Sequence, residues 1–166
     1  MFEKETKKIR TSSQVGLWGS VAVVILSALF LYASPWRFPM QSDYVDRWML
    51  IVGSVLAVLS LSMALLTIRK QVPRLRQTEG LEAKLSGYAS HIRSLYLSVL
   101  AVVVILCAMT LISNQNVLLM LAMVTVLMLI LAYPNIYKVK VDLGLTDEEM
   151  TSLYGDRYIV EQKNEQ

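Results

Sequence analysis

The chain has 166 residues, 55% of them hydrophobic and only 17% charged, with a net charge of +3. Ordinary soluble domains carry about a quarter charged residues, so a water-soluble globule is excluded. The single cysteine, Cys107, rules out an internal disulfide, and one cysteine with one histidine cannot complete a zinc site of those ligands.

The apolar residues are concentrated in four stretches. Residues 15–34, 48–68, 95–112 and 117–133 contain no Asp, Glu, Lys, Arg or His. One helical crossing of a bilayer takes roughly 17–25 apolar residues. The fold class this predicts is all-α: an integral membrane four-helix transmembrane bundle with a cytoplasmic helical hairpin extension. The expected organisation is an N-terminal cytoplasmic segment (1–14), a bundle over 15–133 that includes a hairpin at 69–94, and a cytoplasmic tail (134–166). No segment between the spans is long enough for an independent soluble domain, because below about 40 residues a core rarely suffices without disulfides or metal.

In chain order, the N-terminal segment is basic, and the first span is too long for the apolar region of a secretory signal. Pro35 and Pro39 stop that span, and Trp36, Phe38, Tyr44 and Trp48 mark an interface at the first loop. Tyr96 and Tyr133 are expected to mark the opposite interface. Lys and Arg favour the cytoplasmic side of short loops. With four spans, fourteen of the sixteen fall on one side and two, Arg37 and Arg47, on the other. Both termini are therefore expected in the cytoplasm of a cell membrane, read as a bacterial inner membrane. Arg69, Lys70, Arg74 and Arg76 follow the second span directly, where anionic lipid attracts each by about 1 kcal/mol. Nucleic-acid binding is not expected, since no basic stripe carries interleaved aromatics.

Small residues let helices approach closely inside a bilayer. Gly16 and Ser20 with Ser27 form such a stripe in the first span. Gly53, Ala57, Ser60 and Ala64 form another in the second, and that one is the candidate subunit interface of a homo-oligomer. Residues 113–116 are too few for anything but a tight antiparallel connection, and asparagine there tolerates left-handed backbone.

The hairpin carries Leu81, Leu85, Tyr88, Ile92 and Leu95 at alternating spacings of four and three, a helical seam. It predicts one helix from about residue 79 to 112, with Gly87 at a close contact. Pro73 is expected to end or kink the helix before it, with a turn between Gln77 and Gly80. In the tail, Pro134 ends the fourth span, and residues 137–141 alternate, but five residues cannot make a sheet alone. Thr146 and Glu149 fit a capping box, Leu145 and Met150 a hydrophobic staple, and Gly155 a helix stop. A helix over 147–154 follows. It is too short to stand alone, so it must dock either on the hairpin or on a partner.

No catalytic, cofactor or metal constellation is visible. The spans hold none of the ionisable residues that mark ion-coupled transport. His91 at the start of the third span reads as an interfacial polar residue, and Cys107 as an inert buried thiol. Asp43 and Asp46 are too few oxygens for calcium, and Met120 and Met123 are an isolated methionine pair. The expected function is that of a non-enzymatic scaffold or accessory subunit. It would act through helix contacts and through another protein bound at 69–94 and 146–166. One alternative is a homo-oligomeric pore or uncharged-solute carrier lined by Ser and Thr. A third is an integral membrane enzyme using rim residues such as His91, Arg93, Tyr137 and Asp142.

Overall fold

A computed structural model describes residues 3–33 and 43–155, and every regular element among them is an α-helix. The six helices are α1 (Glu3–Ala33), α2 (Asp43–Arg76), α3 (Leu81–Ser113), α4 (Asn116–Leu131), α5 (Ile136–Leu143) and α6 (Asp147–Tyr154). Three of them, α1, α2 and α3, are long and apolar enough to cross a membrane. The number rises to four if the broken pair α4 and α5 is counted as one span. Pro35, Trp36, Phe38 and Pro39, and the tail beyond residue 155, lie outside the described residues.

The chain divides into two compact units. One takes the described parts of Met1–Ser13, Leu66–Arg93 and Pro134–Gln166, the other Gln14–Leu65 and Ser94–Tyr133. The hairpin thus groups with the two terminal segments, whereas the sequence reading placed it with the bundle. Residues 3–14, largely charged and polar, are helical and run without a break into the apolar stretch, so α1 begins at Glu3.

The second unit is organised on α3. Val99, Val103, Leu106, Cys107 and Thr110 are buried there at helical spacing, and Leu118, Leu119, Ala122, Thr125, Val126 and Leu129 of α4 are buried likewise. Gly16 and Ser20 are both covered by the chain. A Cβ added at Gly16 would lie 2.7 Å from the Cβ of Tyr96, so only glycine permits this α1–α3 approach. The stripe of α2 behaves alike: Gly53 and Ala57 are buried, and a Cβ at Gly53 would meet Leu118 at 2.5 Å and Leu106 at 3.3 Å. Gly53 therefore makes a contact within the chain. Ser60 and Ala64 are only half-buried. The outward residues of this unit are large and apolar, including Trp18, Leu26, Leu29, Val58, Met63, Leu127 and Leu131. Met120, Met123 and Met128 are among them. Continuous apolar exposure of this kind is foreign to soluble monomers.

Asn114 closes the α3–α4 connection at φ 54°, the only non-glycine residue with positive φ among the described residues. Tyr96 departs from its expected interfacial place. It is fully buried, and its hydroxyl donates to the Leu129 carbonyl at 3.1 Å. That carbonyl lies in the last turn of α4, where the Tyr133 N–H four residues on goes to the Ile130 carbonyl instead. A phenol in a buried site needs such an acceptor.

Candidate functional site

The first unit is where polar chemistry concentrates, and it is built from the hairpin upward. The predicted seam is present: Leu85, Tyr88 and Ile92 are buried along α3. Across from it, Val72 of α2 is buried, and a Cβ at Gly87 would sit 2.6 Å from Leu75. Gly87 therefore marks a close approach between α2 and α3, as its place in the pattern implies. This packing also explains Pro73. The helix runs through the proline to Arg76 and turns only at residues 77–80, because Val72 and Leu75 on either side of the exposed ring are held in the interface. A proline in the last turn forgoes one backbone hydrogen bond without forcing an end.

The tail folds into two short capped helices. The alternation at residues 137–141 belongs to a helix, not a strand. Asn135 caps α5 by accepting the Lys138 N–H at 2.6 Å, and Gly144 ends it in the left-handed region at φ 61°. Asn135 and Gly144, bracketing the eight residues of α5, were the overlooked signals. Val139 and Leu143, one turn apart, form the buried face of α5. The predicted capping box of α6 is formed: Thr146 N–H donates to Glu149 Oε2 at 2.8 Å, and Glu149 N–H donates to Thr146 Oγ1 at 3.3 Å. Met150 and Leu145 are buried, as a staple requires. An ion pair from Lys140 to Asp147 joins the two helices.

Two hairpin residues hold the tail. Arg76 donates from Nε to the Asp142 carbonyl at 2.9 Å and from Nη2 to the Val141 carbonyl. These carbonyls lie in the last turn of α5, where backbone acceptors are unpaired and positive charge is favoured. Tyr88 donates its O–H to Asp142 Oδ2 at 2.9 Å. Of the four basic residues expected at the lipid surface, Arg76 also bonds the tail, and all four are exposed.

His91 lies one turn beyond Tyr88 on α3. It is 7% exposed, and its Nε2 has no hydrogen-bond partner. It is thus buried, in place of the interfacial position expected of it. Burial pushes the imidazole below its ordinary range, and the Asp142 carboxylate pulls it part of the way back. Arg93, two residues on, is exposed, and so is Tyr137 on α5. Of the four rim residues named from the sequence, His91 and Asp142 are brought together and the other two are not. Among the described residues, no group of three or more His, Cys, Asp or Glu could hold a metal ion.

The arrangement is chemically a clamp: a guanidinium and a phenol fix one helix end beside a buried imidazole. No known protein family, curated protein or solved structure matches the chain.

Proposed function

We propose that the chain is a non-enzymatic multi-pass membrane protein, a scaffold or accessory subunit whose hairpin and tail form a single docking body. The observation that carries this reading is the clamp from Arg76 and Tyr88 onto α5. With both tail helices capped, it makes the tail and hairpin one shaped surface instead of a loose string. Arg69, Lys70 and Arg74 extend outward from it, suited to anionic lipid headgroups. Tyr137 and Val141, one turn apart, are an exposed apolar pair on α5.

The same clamp supports four crossings with both termini in the cytoplasm. Tail and hairpin touch, so they share one side of the membrane, and the chain between them must cross an even number of times. The N-terminal part of α1, with buried Ile9 and Ser13, belongs to the same unit as the hairpin, so the same parity applies to α1 and α2. Fourteen of sixteen basic residues then lie on that side, the bias of a cytoplasmic face.

The pore reading draws little from the buried hydroxyls. Ser20, Thr110 and Thr125 each donate to the carbonyl four residues back in their own helices. They are satisfied locally, with no row of free donors to line a path.

Native mass spectrometry after mild extraction of the tagged protein from its own membrane tests the proposal. The expected result is a heteromeric complex with an unrelated subunit at fixed ratio, lost when Tyr137→Arg alters the exposed face of α5. A homo-oligomer alone overturns it in favour of a pore, and a bare monomer overturns both.

A further inference from the structure

Among the described residues of the clamped unit, His91 is a buried titratable side chain whose Nε2 has no hydrogen-bond partner. An unmatched buried nitrogen costs roughly 1–3 kcal/mol, so a well-formed unit tolerates it only for a reason. His91 shares Asp142 with the tail clamp: Tyr88 holds the Asp142 carboxylate, Arg76 holds its carbonyl, and its charge acts on the imidazole. We propose that His91 is a proton sensor for the tail, taking up a proton from water when α5 and α6 lift from the hairpin and releasing it when they dock, so that acidification frees the tail.

The direction follows from solvation. An imidazolium enclosed at this position would lose its hydration, and the Asp142 carboxylate does not make up the loss. Once the tail lifts, water solvates the ring and its ordinary proton affinity returns. The docked form therefore holds its full advantage above the usual histidine value of about 6.5 and loses it as the pH falls below that toward the lowered value. Among the described residues, burial and the Asp142 charge are what act on the imidazole. On α2, Arg76 is engaged on the α5 carbonyls. On α6, Asp147 pairs with Lys140 and Glu149 closes the capping box, while Glu148 is exposed. On α1, Lys7, Lys8 and Arg10 are exposed, as is Arg93 on α3 itself, where Lys84 lies two turns away. Release uncovers Val139, Leu143, Leu145 and Met150, all buried in the docked form. The sensor needs no partner protein, so it stands or falls apart from the scaffold reading.

Double electron–electron resonance on the full chain in lipid nanodiscs tests it. Spin labels go at Ser86→Cys on α3 and Thr151→Cys on α6, both exposed positions, in a Cys107→Ala background. The expected result is one narrow distance at about pH 8 and an added longer, broader population at about pH 5.5. His91→Leu should give the narrow distance at both values. Asp142→Asn keeps an acceptor for Tyr88 but removes the opposing charge, so it should remain docked at the higher pH and open further than the parent at the lower. An unchanged distance in the parent, or acid opening that survives His91→Leu, overturns the proposal. If His91→Leu is broad at both values, Asp142→Asn decides, and acid opening no greater than the parent's counts against the sensor.

Discussion

Gly16 and Gly19 lie three residues apart on α1 yet face different demands. A Cβ at Gly16 collides with Tyr96, its Cβ 2.7 Å away, whereas a Cβ at Gly19 meets only Leu100 at an ordinary 3.7 Å. Alanine gains up to about 1 kcal/mol over glycine in a helix interior, and forcing a methyl into a full contact costs about 1–3 kcal/mol. Gly16→Ala should therefore lower the thermal unfolding midpoint in detergent, and Gly19→Ala should leave it unchanged or raise it. If both variants gain stability together, the α1–α3 approach is looser than the glycine implies. The sequence supports this distinction only in part. A small-residue stripe says that Gly16 belongs to a contact, but nothing in it says that Tyr96 is the neighbour. That tyrosine also shows where composition misleads. Tyrosine near a span end usually marks the headgroup layer, yet here its hydroxyl is consumed by an unpaired carbonyl at the end of α4.

Local signals were the most legible part of the helices themselves. Thr146 with Glu149, the seam through Leu85, Tyr88 and Ile92, and the turn at residues 77–80 are each set by neighbours within a few positions, and all are present. The alternation in α5 left that segment unassigned, because a five-residue window cannot separate a period of two from the wider spacing of Val139 and Leu143. The clamp was not legible at all, because Arg76 and Asp142 are 66 residues apart and meet only after the tail has folded back. A guanidinium following a span reads as a lipid contact until its partner is known. This gives the helix α5 a test of its own. Hydrogen bonds from charged groups contribute about 1.5–3 kcal/mol when sheltered, and the exposure of Arg76 brings the expected loss to about 1 kcal/mol. Arg76→Met should raise amide exchange across residues 139–143 about fivefold, since 1.4 kcal/mol is a factor of ten. Lys70→Met, on the same helix but away from the tail, should leave that exchange unchanged. Equal effects from the two would mean that general charge, not the clamp, retains α5.

For the molecule as a whole the open quantity is the number of crossings, and it turns on α4. Its 16 residues span about 24 Å at 1.5 Å per residue, short of a hydrocarbon core of about 30 Å. Length alone leaves α4 at the margin, where local thinning of the bilayer is needed. Composition favours crossing, since residues 117–133 carry no charge and the connection before them is also uncharged. The clamp adds the stronger constraint, because a tail on the far side of the membrane could not reach Arg76 or Tyr88. Cysteine accessibility separates the two counts. In a Cys107→Ala background, Asn114→Cys should react with an impermeant maleimide added to intact cells, whereas Ser86→Cys and Thr151→Cys should react only after permeabilisation. All three positions are exposed on the protein, so lack of labelling reports the membrane and not burial. Labelling of Thr151→Cys but not Ser86→Cys from outside would mean three crossings. The clamp would then be impossible in the membrane, and the docking body and the proton sensor would both fall with it.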